Sequence, residues 1–235
     1  MIDLNNKVVI VTGAAGALGH VTAEVFAKAN ARLILTGRNM ETLTQAAQEI
    51  EAEKKLIACD LTDTKDTQAL VDETLGYYGS IDVLLNIAGG FTMGPKVHEL
   101  SQQDFDFMFN MNFISTFNAC KQVLPQMIEQ GSGKVVNVSA RAGIQGKAKM
   151  APYCISKSAV ITLTECLADE HKSTDININC VLPGTIDTDT NRNDMPNADH
   201  ATWVPPEDIA NTMLFLSSSH ARSVSGAVIP VYGKS

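Results

Sequence analysis

Short apolar runs and longer segments of helical spacing alternate along the whole chain. The runs Lys7–Thr12, Arg32–Thr36, Lys55–Cys59, Val83–Asn86, Lys134–Ser139, Asn177–Leu182 and Val228–Val231 are rich in Val, Ile and Leu and read as strands. Most are continuously apolar instead of alternating, which is the pattern of strands buried on both faces. Between them, Ala17–Asn30, Met40–Glu53, Asp63–Tyr78, Ser101–Gln130, Pro152–Lys172 and Pro206–Ser218 read as helices. Pro152 falls in a first turn, where its missing N–H costs nothing. This alternation predicts an α/β fold with about seven parallel strands and helices on both faces. The stretch Pro183–Pro205, rich in Asp, Asn, Thr and Pro, is expected to be irregular, and loops of that length are usually lids or disordered segments. No repeat, low-complexity tract or linker interrupts residues 1–235, which read as a single domain.

Composition narrows the function. With 45% hydrophobic residues, the 235-residue chain can bury one substantial core. A net charge of -8 disfavours nucleic acid and anionic membranes, both of which need a basic face. Cys59, Cys120, Cys154, Cys166 and Cys180 contain no C-x-x-C and predict free thiols in a reducing compartment. The five histidines lack metal-ligand spacing, so no metal is expected. The apolar run Val8-Val9-Ile10-Val11 is too short for a signal peptide, and no stretch approaches the ~18 apolar residues of a membrane span. A cytoplasmic protein is therefore expected. The sequon Asn137-Val138-Ser139 lies within a predicted strand and is read as coincidental.

Two stretches suggest chemistry. The first strand runs into Thr12-Gly13-Ala14-Ala15-Gly16-Ala17-Leu18-Gly19 and then a helix. Such a turn brings backbone N–H groups and a helix N-terminus up to a pyrophosphate, the device of a doubly wound Rossmann fold; the alternative is a tight turn with no ligand. The second strand ends in Arg38 without a carboxylate, which favours NADP over NAD through a ribose 2′-phosphate, although a solvated arginine also fits. In Tyr153-Cys154-Ile155-Ser156-Lys157, residues four apart share a helix face, and the Lys157 ammonium is expected to lower the Tyr153 pKa. Taken alone, an ordinary amphipathic helix carries such a pair equally well.

Together these motifs resemble the short-chain dehydrogenase/reductase family over nearly the full length. The resemblance implies an NAD(P)-dependent oxidoreductase that moves hydride between a nicotinamide cofactor and a carbonyl or alcohol. It assigns catalysis to Asn112, with Asn110 as second candidate, and to Ser139, Tyr153 and Lys157. Tyr153 would give the proton, Ser139 hold the substrate oxygen, Lys157 bind the nicotinamide ribose, and Asn112 anchor a water. Cofactor contacts are assigned to Gly13, Gly16, Leu18, Gly19, Arg38, Asp60, Leu61, Asn86, Ala88 and Gly89, then to Tyr153 and Lys157, and to Pro183, Gly184, Ile186 and Thr188. It also implies a homotetramer or homodimer. Three positions depart from the family pattern: Gly16 stands where Ala17 is usually the glycine, Ile87 replaces an Asn, and Tyr232 replaces an Asp.

A narrower resemblance, through Gly16-Ala17-Leu18-Gly19, Ala88-Gly89-Gly90 and the segment from Asp187 to Trp203, is to the quinonoid dihydropteridine reductase branch. That branch lacks the Ser and Asn, so general carbonyl reduction ranks first and pteridine reduction second. A non-catalytic dinucleotide-binding protein is a third reading. Arg141, Lys147 and Lys149 lie near the expected mouth, as solvated charges or as receivers of an acidic partner.

Overall fold

The computed structural model describes residues 2–234. Its strands are β1 (Val8–Thr12), β2 (Arg32–Gly37), β3 (Lys54–Ala58), β4 (Val83–Asn86), β5 (Ser132–Val138), β6 (Asp175–Pro183) and β7 (Val228–Val231). They form one seven-stranded sheet in the order β3-β2-β1-β4-β5-β6-β7, every neighbouring pair parallel. The helices are α1 (Ala17–Lys28), α2 (Met40–Ala46), α3 (Thr64–Tyr78), α4 (Gln102–Phe109), α5 (Ser115–Gln130), α6 (Ala151–Glu170), α7 (Asp189–Asp194) and α8 (Pro206–Leu216). This is the Rossmann-like α/β architecture expected from the alternation. No described helix is long and apolar enough to cross a membrane.

Strand geometry divides the core. Successive side chains of a strand point to opposite faces. Accordingly Val9, Val11, Leu33 and Leu35 pack with Phe26 of α1 and Ile209 and Met213 of α8, whereas Val8, Ile10 and Ile34 pack with Leu70 of α3 and Val123 and Met127 of α5. A third cluster joins Val160 and Ile161 of α6 to Cys180 and Leu182 of β6. Asn137 is fully buried in β5, where a glycan could not be accommodated. The strand order reverses direction between β1 and β4, and ligands of doubly wound sheets bind in the crevice at such a switch, beyond the carboxyl ends of the strands.

Three expected elements differ. The helix expected over Met40–Glu53 ends at Ala46, and single-turn hydrogen bonds then carry the chain past the buried Ile50 into β3. The helix expected over Ser101–Gln130 is interrupted by a π turn at Asn110–Ile114. There the Asn112 amide donates to the Met108 carbonyl (3.1 Å), giving a backbone acceptor of the helix a side-chain partner. Pro183–Pro205 is not irregular throughout: it contains α7 and a 3-10 turn, and an Ile186–Val204 bridge closes its base. Asp187 and Arg192 pair across it through two hydrogen bonds, at 2.5 and 2.8 Å.

Phe26 has no exposure and anchors the α1–α8 face. Phe26→Ala is expected to cost about 3–5 kcal/mol, read as a fall in the urea midpoint at unchanged slope.

Candidate active site

The turn after β1 is built by close approach. Gly13 has φ +65°, and a Cβ there would lie 2.9 Å from Ala88 Cα; a Cβ on Gly19 would lie 2.1 Å from the Gly13 carbonyl oxygen. No other residue type fits these two positions without backbone movement. Gly16 begins α1 with no side-chain cap and no acidic residue follows in the first turn, so the N–H groups and the positive end of the helix remain available to an anion. Leu18 is buried on the inner side of that turn. The Thr12 hydroxyl ties the turn to the segment after β4: it donates to Leu85 O (3.0 Å) and accepts from the N–H groups of Ile87 (2.9 Å) and Ala88 (3.1 Å).

The adenosine side is placed by β2 and β3. Arg38 stands exposed at the end of β2, immediately before Asn39 caps α2 by accepting from Thr42 N. The Thr62 hydroxyl (2.7 Å) and N–H (2.9 Å) donate to the Asp60 carboxylate and, with the charge of Arg38, hold it below the ordinary carboxylate range. Leu61 is buried, and its carbonyl accepts from Asn118 of α5 (2.9 Å). Asn86 is directed inward: its amide donates to Asn137 (2.8 Å), which in turn donates to Thr164 of α6 (2.9 Å). This buried chain links β4 and β5 to α6.

At the centre lie Gly89 and Gly90. The Asn112 amide donates to Gly90 O (3.0 Å), and its Oδ1 accepts from Gly90 N (3.1 Å). A Cβ on Gly89 would lie 2.6 Å from Asn112 Oδ1 and 3.3 Å from Lys157 Nζ. Gly89 itself is exposed, while the Asn112 and Lys157 side chains packed against it are buried. Lys157 is only 5% exposed and donates from Nζ to Val138 O at 2.9 Å. Burial pulls its pKa down to about 8.

Tyr153 does not behave as its spacing suggests. Its pKa is pushed up to about 12, first by burial and then by neighbouring Cys154, in place of the expected lowering by Lys157. The ammonium is engaged with the Val138 carbonyl, and burial disfavours the charged form of each group. Phe91 packs edge-on against the Tyr153 ring at 5.0 Å. Ser139 is 2% exposed, and its hydroxyl donates to the Lys157 carbonyl at 2.7 Å. From the end of β6, Gly184 N donates to Val231 O (2.9 Å), Ile186 forms the bridge to Val204, and Thr188 caps α7. Pro183 is the last residue of β6.

The structure thus gathers Asn112, Gly89 and Lys157, while the Ser139 hydroxyl and the Asn86 amide are committed inside the fold. Asn110 begins the π turn that carries Asn112. Thr12, Phe91 and Gly143, where a Cβ would lie 2.7 Å from Ser139 Oγ, were not singled out from the sequence. Only Thr12 had a local signal, as a hydroxyl at the strand end before the first glycine. The cavity of about 480 Å³ between Glu165, His171, Asn177 and Arg222 lies at the opposite, amino-terminal end of β6.

Comparison with known proteins agrees with this geometry. A family model described as short chain dehydrogenase matches residues 7–199. The chain is 32% identical to the 3-oxoacyl-acyl-carrier-protein reductase FabG of Thermotoga maritima, covering 98% of each chain. It is 30% identical to D-threitol dehydrogenase of Mycolicibacterium smegmatis, covering 98% of this chain and 93% of that one. A solved structure of a short-chain type dehydrogenase/reductase from Mycobacterium ulcerans superposes with a TM-score of 0.93 at 26% identity, over 99% of this chain and 90% of the other.

The depressed Lys157 pKa has a thermodynamic sign. Between pH 8 and 10 the folded state binds fewer protons at Lys157 than the unfolded state, so stability contributed by this group rises with pH. Measured by urea unfolding at both pH values, wild type is expected to gain about 1–2 kcal/mol on Lys157→Met across this window. Parallel pH dependences for the two proteins would contradict the lysine's depressed pKa.

Proposed function

The chain belongs to the short-chain dehydrogenase family, and from that premise we propose an NAD(P)-dependent oxidoreductase that interconverts a carbonyl and an alcohol, with Tyr153 as general acid/base and NADP as the preferred cofactor. The observation that carries this reading is the close approach of Gly89, Asn112 and Lys157 beyond the carboxyl ends of the strands, where a Cβ on Gly89 would lie 2.6 Å from Asn112 Oδ1 and 3.3 Å from Lys157 Nζ. The residues present suit a dinucleotide. Gly13 and Gly19 let the turn pack closely on Ala88 and on itself, and the uncapped start of α1 offers N–H donors to a pyrophosphate. Exposed Arg38 suits a 2′-phosphate.

A bound reduced nicotinamide supplies hydride. Tyr153, protonated at neutral pH because burial raises its pKa to about 12, delivers a proton to the oxygen that gains charge. An oxygen receiving hydride becomes more basic than a phenolate, so the transfer runs towards it. Lys157, with a pKa of about 8, is largely cationic at neutral pH and favours the transient phenolate while holding the cofactor ribose. Asn112 fixes Gly90 and the π turn; a water beside Lys157 would be anchored from this turn. Ile186 and Thr188, on the segment after β6, would hold the nicotinamide end of the cofactor.

The named relatives act on a 3-oxoacyl group and on D-threitol, which supports a substrate class no narrower than carbonyl or alcohol. A quinonoid dihydropteridine reductase-like activity is the second reading, favoured by the commitment of the Ser139 hydroxyl to Lys157. The free cysteines, four of the five buried, support a cytoplasmic protein, and the one continuous seven-stranded sheet supports a single domain. Exposed Phe107 and Phe117 on the α4–α5 face support a homodimer or homotetramer.

Tyr153→Phe is expected to lower turnover by ~10²–10⁴-fold while NADPH affinity, followed by fluorescence titration, stays within about threefold. Wild-type inactivity on a broad panel of carbonyls and quinonoid pterins would instead support a non-catalytic dinucleotide-binding protein. Arg38→Ala is expected to weaken NADPH binding roughly tenfold and leave NADH unaffected, the effect of one lost charge-assisted contact. Tighter binding of NADH than NADPH by wild type would refute the cofactor preference.

A further inference from the structure

We infer that Phe91 sets the substrate class: its exposed ring is the wall on which a flat aromatic substituent lies when that substituent is bonded to the carbonyl carbon that Tyr153 serves. That role rests on the carbonyl reduction proposed above and narrows it to aryl ketones and aldehydes. Phe91 packs edge-on against Tyr153, with ring centroids 5.0 Å apart and planes at 74°, so an aromatic ring stands directly beside the proton donor. Even so, Phe91 is 48% exposed.

The backbone holds the ring there from both ends. The preceding residue, Gly90, is fixed through both of its main-chain groups by Asn112, at 3.0 and 3.1 Å. A Cβ on Gly90 would lie 2.9 Å from Met111 Cε, so the glycine lets this stretch lie close on the π turn. Three residues after Phe91, Gly94 N donates to Lys149 O at 2.9 Å, just before the first turn of α6 that carries Tyr153. Phe91, Thr92 and Met93 thus form a short strap between two pinned points. A second segment reaches the same helical turn, where Gln145 O accepts from the Cys154 thiol at 3.9 Å.

These two segments also decide what kind of group would be received. Scattered exposed apolar side chains are ordinary, but Phe91, Met93 and Ile144 are all exposed on segments that meet at one turn of α6. Small-molecule sites are lined mainly by such side chains with few polar groups among them. From Gly90 to Val97 and from Ala142 to Met150 there is no carboxylate, and Thr92 and Gln145 carry the only hydroxyl and amide side chains. A polyol would exchange many hydrogen bonds with water for few here, whereas an aryl group gives up none and covers an exposed ring. Aromatic rings associate over centroid separations of ~4.5–7 Å, so a ring bonded to the reacting carbon can lie on Phe91 while the oxygen meets Tyr153.

The test compares two 1,2-diketones that differ in one substituent, 1-phenyl-1,2-propanedione and 2,3-butanedione, each reduced with NADPH. Wild type is expected to favour the phenyl compound about tenfold or more in kcat/KM. Phe91→Ala is expected to lose about tenfold on the phenyl compound while staying within about threefold on butanedione, and Phe91→Leu, which keeps apolar bulk without the aromatic face, to fall between. Equal losses on both diketones would mean that the ring only shields Tyr153, and would overturn the proposal. So would a wild type without preference. A fall in NADPH affinity beyond about threefold in Phe91→Ala would place the ring against the cofactor and overturn it as well.

Binding without turnover separates this inference from the function on which it rests. Saturation-transfer NMR of 1-phenyl-1,2-propanedione with wild type and oxidised NADP, where no hydride is available, is expected to show saturation of the phenyl protons that Phe91→Ala largely loses. That result, combined with no reduction of either diketone by wild type, would count against carbonyl reduction and support the aryl site. Phenyl protons left unsaturated by wild type, or saturated equally by Phe91→Ala, overturn the proposal at any level of activity.

Discussion

A parallel sheet leaves no face for water, because every crossover returns over one side or the other, and both sides must then be apolar. That constraint organises this protein. All five residues of β1 are buried, and its alternate side chains supply two separate cores, one under α1 and α8 and the other under α3 and α5. With both faces closed, polar chemistry is confined to the ends of the strands. The crossovers reverse between β1 and β4, so the segments after those strands diverge and leave the crevice in which Gly13 and Ala88 meet.

Burial then sets the electrostatics of the crevice. Low polarity disfavours charge of either sign, so it pushes the Tyr153 phenol up and the Lys157 ammonium down. The two shifts converge on neutral forms, and at neutral pH they leave an undissociated phenol at Tyr153 and, one turn further along α6, a lysine that still carries most of its charge. A cation in such a place needs a geometric anchor, and the end of β5 supplies it through the Val138 carbonyl. The Asn86–Asn137–Thr164 chain works at the same level, satisfying buried amides while connecting the strand ends to α6.

Asn112 shows how a local irregularity serves the site. An unbroken helix from Ser101 to Gln130 would satisfy the amphipathic spacing equally well. The π turn instead gives the Asn112 amide the Met108 carbonyl and both main-chain groups of Gly90, and so holds the loop after β4 against the helix that faces it. Gly89 completes the arrangement, since any side chain there would collide with Asn112 Oδ1.

Much of this was legible in the residue order. Continuous apolar runs predicted seven strands, because burial on both faces removes the alternation a one-sided strand would show, and the glycine turn predicted the opening between β1 and α1. That Tyr153 and Lys157 lie one turn apart on a single helix was also readable, as helix periodicity is a local property. What the linear chain could not decide was set by groups distant along it. The helix break at Asn112 depends on Gly90, and the covered position of Ser139 on Lys157 and Gly143. The direction of the Tyr153 shift depends on how much water the packed fold removes, a quantity no spacing rule contains. The sequence by itself determined the architecture and the residues available for chemistry, because periodicity and turn geometry are encoded nearest-neighbour by nearest-neighbour. Only the tertiary structure decided which of their polar atoms are free, because hydrogen bonds and desolvation depend on what folds against them.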